Sequence, residues 1–297
     1  MIRIILNGKK ADLDEVRGAV AALRSESSQV EVRVTWERGD AVRFVREAAS
    51  EKISRVVAAG GDGTINEVVN GLVRLPRKER PVLAILPLGT ANDFATACAI
   101  PSDPVEALRL ALHGRAFPVD IGRANQRYFI NVATGGFVSQ VTSQVPNQVK
   151  NFIGGSAYAL AAIMKSLNFE PSRGRLKAEG IELSGTAISG AVCNGRQAGG
   201  GKVLAPEAYI NDGLFDIMVI LTFPLSDIGQ VIQEIFDPSS GDGRYVRRFR
   251  SRWVESWPEA RRSVNLDGEP FEADHIRFDV LPGELDLVLP EGCPCLL

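Results

Sequence analysis

Two short glycine–threonine segments have residue types and spacing that suit the binding of an anion. Residues 60–64 read Gly-Gly-Asp-Gly-Thr, between the apolar run 55–59 and the stretch 65–75, whose apolar residues recur at helical spacing. A strand-to-helix turn leaves backbone N–H groups without partners and places the positive end of the helix dipole beside them. We therefore predict a phosphate-binding turn at residues 60–64.

The second segment, ILPLGTANDFA at 85–95, repeats this design with an apolar run, a Gly-Thr turn and the start of a helix. Both turns contain the pattern Gly-Thr-x-Asn, at 63–66 and at 89–92. If the two strands are parallel neighbours, both turns face the crevice in which open sheets bind ligands. The alternative is two ordinary strand-to-helix turns with well-capped helices.

The common nucleotide-binding motifs do not fit the chain. A dinucleotide fingerprint requires a third glycine where Asn66 stands, and a P-loop requires Ser or Thr where Val203 follows Gly201 and Lys202. The two turns therefore predict a phosphate site of another kind.

The pattern of apolar residues changes at about residue 120. Before it we predict strands at 2–6, 30–34, 55–59 and 82–86 and helices at 13–23, 40–49, 65–75, 91–99 and 104–113. After it we predict closely spaced strands at 128–132, 176–178, 187–193, 214–221, 252–255, 263–266, 276–280 and 285–289. These patterns indicate an α/β N-terminal domain with a Rossmann-like parallel sheet and helices on both faces, followed by a mostly antiparallel β-sandwich. We predict a nucleotide-binding domain at 1–124, with 286–297 as a candidate to complete it, and a substrate domain at 125–285.

Composition narrows the function classes. The 297 residues carry a formal net charge of −2, which argues against a polycation built to bind nucleic acid. Four cysteines form no disulfide framework at this length, and we expect reduced thiols without a zinc site. No signal peptide or membrane-spanning run is recognisable. We therefore expect a cytoplasmic protein whose contact with the inner membrane is peripheral; its oligomeric state is left open.

The motifs GGDGTINEVVNGL at 60–72 and LPLGTANDFA at 86–95 resemble the catalytic domain of the diacylglycerol kinase superfamily. More narrowly, the chain resembles the YegS-like bacterial lipid kinases. The further motifs are VRVTWERGDA at 32–41, FINVATGGF at 129–137, CNGRQAGGG at 193–201, INDGL at 210–214, NLDGEP at 265–270 and EGCPCLL at 291–297. The resemblance implies an ATP-dependent kinase that phosphorylates a free hydroxyl of diacylglycerol, phosphatidylglycerol or a similar glycerolipid.

The resemblance also implies roles for individual residues. It assigns the proton acceptor to Glu269, with Asp267 as the alternative, and it assigns a catalytic role to Asp62. The ATP contacts that it implies are Thr35, Gly61, Asp62, Gly63, Thr64, Ile65, Asn66, Glu67 and Thr90. Candidates for the magnesium ion carried by ATP are Asp62, Asp93 and Asp120, which stay unranked.

A second metal site is implied by INDGL. There Asp212 would supply a carboxylate, and Tyr209 and Leu214 would supply backbone carbonyls. Such hard oxygen donors suit Mg²⁺ or Ca²⁺.

The chain departs from the superfamily pattern at residues 6–10, Leu-Asn-Gly-Lys-Lys, which lack the proline and second glycine of wider superfamily members. Lys9 is a candidate to replace that loop as a point charge.

The lipid must meet the enzyme at a membrane surface. Two basic clusters are candidate docking surfaces, Arg74, Arg77, Lys78 and Arg80 in one and Arg244, Arg247, Arg248 and Arg250 in the other, although solvated faces explain such runs as well. The apolar stretch 152–164 is either an acyl-chain groove or a core helix. Two other functions stay open: a soluble-substrate kinase of the NAD kinase type, and a non-catalytic nucleotide-dependent membrane sensor.

Overall fold

Four parallel strands form the centre of the N-terminal half in the computed structural model, which describes residues 1–26, 29–136, 171–236 and 243–297. They are β1 (Ile2–Asn7), β2 (Val30–Thr35), β3 (Arg55–Gly60) and β4 (Val82–Pro87), arranged in the order β2-β1-β3-β4. Ile4 is in register with Val32 on one side and Val57 on the other. All four strands therefore end at one edge of the sheet, which we call the carboxyl edge.

Helices cover both faces of this sheet, as predicted. They are α1 (Asp14–Glu26), α2 (Asp40–Ser50), α3 (Asp62–Val73), α4 (Asp93–Ala97) and α5 (Pro104–His113). Leu23 of α1 and Leu108 of α5 share a buried cluster with Ile4. Phe44 of α2 and Val68 of α3 share another with Ile5. Successive strand residues point to opposite faces, so β1 contributes to both layers of the core.

The C-terminal half is mainly antiparallel. Its described elements are β5 (Ala116–Ala124), β6 (Arg127–Phe129), β7 (Val132–Gly136), β8 (Ser172–Ala178), β9 (Ile181–Cys193), β10 (Gln197–Ala198), β11 (Lys202–Val203), β12 (Phe215–Leu221), α6 (Ile228–Phe236), β13 (Val246–Ser251), β14 (Trp253–Pro258), β15 (Arg262–Leu266), β16 (Glu269–Ala273) and β17 (Ile276–Val288). Phe129, Phe215 and Phe278 pack in one core although their strands are not neighbours. The sheet therefore folds back around this core, in agreement with the predicted sandwich.

Strand β17 passes from one half of the molecule into the other. Its first residues pair with β14, where Val254 is in register with Phe278, and its last residues run parallel to β4, where Leu287 is in register with Leu83. The pairing of β17 with β5 shifts register between Leu281 and Leu285. One strand therefore completes the parallel sheet and also belongs to the antiparallel one.

Several elements differ from the sequence-based prediction. Strands β5, β13 and β16 and helix α6 were not predicted, and the two strands predicted at 276–280 and 285–289 are the single strand β17. The strand predicted at 128–132 is broken between β6 and β7, because the N–H groups of Ile130 and Asn131 turn to the carboxylate of Asp267. The apolar stretch 152–164 lies outside the described residues.

Candidate active site

The turn between β3 and α3 exposes backbone N–H groups. The first hydrogen bonds of α3 are donated by Thr64 and Ile65 to the carbonyl of Gly61, at 2.9 and 3.1 Å. The N–H groups of Asp62 and Gly63 precede these bonds and have no carbonyl acceptor in a preceding turn, although that of Asp62 interacts with its own carboxylate. A side chain at Gly60 would collide with the Thr64 hydroxyl, so glycine is needed for so tight a turn. The geometry suits an anion such as phosphate.

The two glycine–threonine turns are in direct backbone contact. The N–H of Leu88 donates to the carbonyl of Gly60 at 2.8 Å. A Cβ at Gly89 would lie 2.6 Å from the Cα of Gly61, which is closer than real contacts allow. The structure therefore brings both turns to one place on the carboxyl edge, where the sequence predicted a shared crevice.

The two asparagines of the repeated pattern act differently. Asn92 accepts a hydrogen bond from the N–H of Gly89 at 2.7 Å and donates to its carbonyl at 3.0 Å, so it fixes the second turn. Its left-handed backbone, with φ of 51°, delays the start of α4 to Asp93. Asn66 points away from the turns, and its Nδ2 donates to Tyr128 O at 3.1 Å and to Asp267 Oδ2 at 2.9 Å.

Asp62 connects the first turn with the second. Its Oδ1 accepts a long hydrogen bond of 3.5 Å from the N–H of Phe94, in the first turn of α4. Burial raises the pKa of the Asp62 carboxyl, and the nearby charge of Asp93 raises it further. Two crowded carboxylates of this kind favour a cation beside them. The site therefore combines free N–H groups for phosphate with carboxylates that fit a divalent ion.

Glu269 stands over the first turn. It begins β16 directly after the turn formed by Asp267 and Gly268, whose φ values are 50° and 100°. A Cβ added at Gly63 would lie 3.6 Å from Glu269 Oε1. The Glu269 side chain is 41% exposed, and its Oε2 lies 3.9 Å from Nη2 of Arg38. This carboxylate can therefore reach a substrate that approaches from solvent.

Asp267 is enclosed beneath the site. Its Oδ1 accepts the N–H groups of Asn131 and Val132, and its Oδ2 accepts the N–H of Ile130 and Nδ2 of Asn66, at 2.8–3.0 Å. Burial raises its pKa to about 6, although the four donors act in the opposite direction. Because its oxygens face these donors, the Asp267 carboxylate is closed to a substrate, whereas that of Glu269 is open to solvent.

Several predicted ATP residues gather at the carboxyl edge. Thr35 Oγ1 accepts a hydrogen bond from the N–H of Gly8 at 3.3 Å, and Thr90 is exposed on the second turn. Thr64 Oγ1 accepts a hydrogen bond from Nδ2 of Asn7 at 2.9 Å, which ties the turn to the end of β1.

Other predicted residues serve the scaffold or the edge of the site. The side chain of Ile65 is in the core and that of Asn66 bonds to the C-terminal half, so only their backbones face the turn. Burial raises the pKa of Glu67, and the nearby carboxylate of Glu269 raises it further. Glu67 and Glu269 are therefore close enough to repel each other.

The predicted second metal site contains a competing cation. Asp212 Oδ1 accepts the N–H of Leu214 at 3.0 Å, and Oδ2 forms an ion pair with Arg250. The guanidinium of Arg250 also contacts Asp216 Oδ2 at 3.3 Å. A divalent ion held by Asp212 and the carbonyls of Tyr209 and Leu214 would therefore have to displace Arg250.

Two of the candidate magnesium carboxylates hold loops in place. Asp93 accepts the N–H groups of Gly200 and Gly201 at 2.5–3.1 Å, so it ties the CNGRQAGGG segment to the second turn. Asp120 accepts the N–H groups of Gly213 and Gly283 at 2.6 and 2.7 Å. Asp62 is therefore the candidate that lies on the phosphate turn itself. Within the described residues, no group of three or more His, Cys, Asp or Glu side chains has the arrangement of a metal site.

Sequence reasoning missed three contributors to the site: Asn7, Arg38 and the positioning contact of Asn66 with Asp267. The motifs VRVTWERGDA and NLDGEP contain Arg38 and Asp267, but their contacts cross between distant segments. Most of the predicted basic surface is also used internally. Arg80 donates to the carbonyls of Val73 and Leu75, and Arg248 donates to those of Leu204 and Ile235. Neither cluster is therefore a freely available cationic patch.

Comparison with protein families agrees with this geometry. Residues 1–124 match the family model of the diacylglycerol kinase catalytic domain, and residues 131–289 match that of the YegS C-terminal NAD kinase beta sandwich-like domain. A relative from Shewanella frigidimarina, named "Probable lipid kinase YegS-like", is 45% identical over 297 residues, which cover 100% of this chain and 96% of the relative. The chain belongs to the YegS-like lipid kinase family.

Other relatives support the same assignment. A protein of the same name from Chromohalobacter salexigens is 45% identical over 295 residues. The aligned residues cover 99% of this YegS-like chain and 94% of that relative. The crystal structure of a candidate diacylglycerol kinase from Bacillus anthracis superposes with a TM-score of 0.81 at 26% identity, covering 98% of this chain and 96% of that one. The resemblance stated from the motifs is thereby confirmed. A kinase family of this kind implies ATP and a divalent metal ion. Among the described residues, none of the helices combines the length and apolar character needed to cross a bilayer.

Proposed function

We propose that this YegS-like protein is an ATP-dependent lipid kinase that transfers the γ-phosphoryl group to a free hydroxyl of a glycerolipid. Family membership supports a phosphotransferase with an alcohol acceptor. The observation that carries the proposal is the backbone contact of Gly61 with Gly89, together with the Glu269 carboxylate above Gly63. This arrangement offers free N–H groups to a triphosphate and a base beside it.

In this proposal the chain itself holds the phosphates and moves one proton. The N–H groups of Asp62 and Gly63 and the hydroxyl of Thr90 bind phosphate oxygens, and Thr35 contacts the nucleotide. Glu269 takes the proton of the lipid hydroxyl while the hydroxyl oxygen bonds to the γ-phosphorus. The bond between the γ-phosphorus and the bridging oxygen of ADP breaks, and ADP leaves. A positioned base of this kind contributes about 10²–10⁴-fold. Arg38 Nη2 lies 3.9 Å from Glu269 Oε2 and places a positive charge beside that carboxylate.

We assign the magnesium ion carried by ATP to the carboxylates at the turn, with Asp62 as the leading candidate. When bound, it would offset the charge on the transferred phosphoryl group. The second ion, Mg²⁺ or Ca²⁺, is assigned to Asp212 with the carbonyls of Tyr209 and Leu214. Thermal unfolding tests the second site: either ion should raise the melting temperature of the natural protein and not that of Asp212→Asn. An equal rise in both proteins contradicts the assignment.

Incubation with labelled ATP, Mg²⁺ and total bacterial lipid extract tests the proposed reaction, with Glu269→Gln as the matched control. We expect one labelled lipid from the natural protein and at least a hundredfold less from the variant. A parallel panel contains NAD and other soluble alcohols, because the C-terminal family model is named for an NAD kinase-like sandwich. Label in a soluble product alone would favour a soluble-substrate kinase. ATP binding without any transfer would favour a nucleotide-dependent sensor.

We place the enzyme at the cytoplasmic face of the inner membrane, by peripheral contact.

A further inference from the structure

Large apolar side chains are exposed at the edge where the candidate site opens. The described residues contain five such side chains, and apart from the terminal residues Met1 and Leu297 they are Val34, Trp36 and Val203. Val34 and Trp36 lie at the end of β2, on the carboxyl edge. Val203 lies in the β10–β11 hairpin, whose connecting glycines are held by Asp93 beside the second turn. The three internal residues therefore all lie on elements at the same edge as the two glycine turns.

Trp36 is 94% exposed although its backbone is firmly held. Asp40 Oδ2 accepts the N–H groups of Trp36 and Glu37 at 2.7 and 3.1 Å, and Oδ1 pairs with Arg43 at 2.6 Å. The hydrogen bond from Arg43 and the two N–H donors lower the pKa of Asp40 to about 2, so these contacts persist at neutral pH. The hydrogen-bonded loop thus holds a tryptophan exposed to solvent, and an exposed apolar side chain of this size is typical of a binding surface.

Cationic side chains accompany these apolar ones. Arg38 is 83% exposed, and Lys9 and Lys202 are exposed at the ends of the neighbouring segments. Glu37 is the exposed acid of the same loop. The basic clusters predicted from the sequence are largely engaged in internal contacts, whereas Arg38 forms, among the described residues, a 3.9 Å ion pair with Glu269 and lies near the carboxylate of Glu67. A mixture of tryptophan, aliphatic and cationic side chains fits an anionic lipid surface.

We propose that Val34, Trp36, Arg38, Lys202 and Val203 form a docking edge that binds the head-group region of an anionic bilayer. Tryptophan prefers that depth, because its ring is apolar and its N–H can remain hydrated. Glu269 contacts Arg38 of this edge, so docking brings the base to the level where the hydroxyl of a glycerolipid is found. This inference rests on the proposed lipid kinase function and assigns the membrane contact of the same site.

Fluorescence of Trp36 gives a direct test in full-length protein with Trp253→Phe and Trp257→Phe. Vesicles of equal parts phosphatidylcholine and phosphatidylglycerol should shift its emission to the blue, and brominated acyl chains should quench it. No shift with vesicles to which the protein binds overturns the proposal. A shift that ATP causes and vesicles do not indicates stacking of Trp36 on adenine. A shift that depends on protein concentration and not on vesicles indicates self-association. Either of these results also overturns it.

Co-sedimentation with the same vesicles measures the contributions in proteins that retain all other tryptophans. Trp36→Ala should lose on the order of tenfold in binding, whereas Trp36→Tyr should retain most of it. Lys202→Gln should lose about fivefold, since one basic residue near an anionic surface contributes about that factor. Lys52→Gln is the matched control, because Lys52 is exposed before β3, at the opposite end of the parallel strands. Equal losses in both lysine variants contradict the docking edge.

A short-chain, water-soluble diacylglycerol separates this inference from the proposed function. Trp36→Ala should phosphorylate it at the natural rate but lose activity on vesicles. If the natural protein phosphorylates no lipid in either form while Trp36-dependent vesicle binding persists, the kinase proposal fails and the docking edge stands. If Trp36→Ala loses both activities equally, the docking edge is wrong and the kinase proposal stands.

Discussion

Asn66 donates a 2.9 Å hydrogen bond from Nδ2 to Oδ2 of Asp267, and this contact joins the phosphate-turn helix to the hairpin that carries Glu269. Both side chains are buried. Asn66 lies three residues beyond Gly63, and Asp267 lies two residues before Glu269. The relative position of the turn and the carboxylate is therefore set by a buried contact between these two side chains.

We expect Asn66→Ala to lower the free energy of unfolding by about 1–3 kcal/mol, because Asp267 and the carbonyl of Tyr128 each lose a donor. Its kcat should fall more than its affinity for ATP, since the base is displaced while the turn remains. Urea unfolding and steady-state kinetics measure the two effects. Asn125→Gly is the control, because its amide bonds at the surface to His275 O and to the N–H of Arg277, and glycine tolerates its φ of 52°. Equal effects of the two variants would contradict the positioning role.

Gly89→Ala should separate the two turns, because its Cβ would lie 2.6 Å from the Cα of Gly61. We expect lower stability together with weaker ATP binding, measured by thermal unfolding and by calorimetry. Gly18→Ala serves as the control, since a Cβ at Gly18 in α1 meets nothing within 4 Å. Alanine is favoured over glycine inside a helix, so this control should be as stable as the natural protein or more so. Unchanged ATP affinity in Gly89→Ala would show that the contact of the turns is unimportant for the nucleotide.

Gly63→Ala isolates the phosphate space from the fold. A Cβ there meets only Glu269 Oε1, at 3.6 Å, and the position is helical. The variant should therefore unfold at the same temperature as the natural protein or higher, whereas its KM for ATP should rise at least tenfold because the methyl group occupies space beside the free N–H groups. Kinetics at saturating lipid provide the measurement. A normal KM in a normally folded variant would place the phosphates elsewhere.

Glu269→Gln should bind ATP almost normally and lose about 10²–10⁴-fold in kcat, because the amide cannot accept a proton from the lipid hydroxyl. Calorimetry with ATP and the rate of phosphoryl transfer give the two values. The conservative variant Glu269→Asp should regain part of the rate. Turnover like that of the natural protein in Glu269→Gln would remove this residue as the base.

Asp267 should make stability depend on pH in a defined window. Its pKa is raised from 3.8 to about 6 by burial, so between about pH 4 and pH 6 the folded protein binds more protons than the unfolded chain. This extra proton binding stabilises the folded protein fully below pH 4, and the stabilisation is lost as pH rises through 6. The free energy of unfolding falls by about 3 kcal/mol in total across this window. The difference in unfolding free energy between the natural protein and Asp267→Asn should change across this window. A constant difference, or a carboxyl resonance of Asp267 that titrates near 4, would contradict the prediction.

The parallel half of the fold could be predicted because its signals are local. Strands β1, β3 and β4 are short, mostly apolar runs and β2 alternates apolar with polar residues, and each is followed by a turn and a helical stretch. Strand β5 was not predicted because its main partner is β17, which lies more than a hundred residues later in the chain. The glycine turns were found from local spacing, whereas the roles of Asp267 and Arg38 depend on contacts between distant segments.

The basic clusters show the same limit from another side. Charge can be read from a sequence, but the partners of a charge cannot. Arg250 counted as a candidate lipid contact, and its guanidinium in fact lies on Asp212, the predicted metal ligand. Trp36 was part of a recognised motif, yet only the structure reveals that its ring is bare.

The place of β17 in the parallel sheet has a consequence for biosynthesis. Leu287, which pairs with Leu83 of β4, lies 204 residues after it in the chain. Domains usually fold in the order in which they leave the ribosome. Here the nucleotide-binding sheet stays one strand short until β17 has left the ribosome, so a nascent chain that has not yet reached β17 exposes the open side of β4.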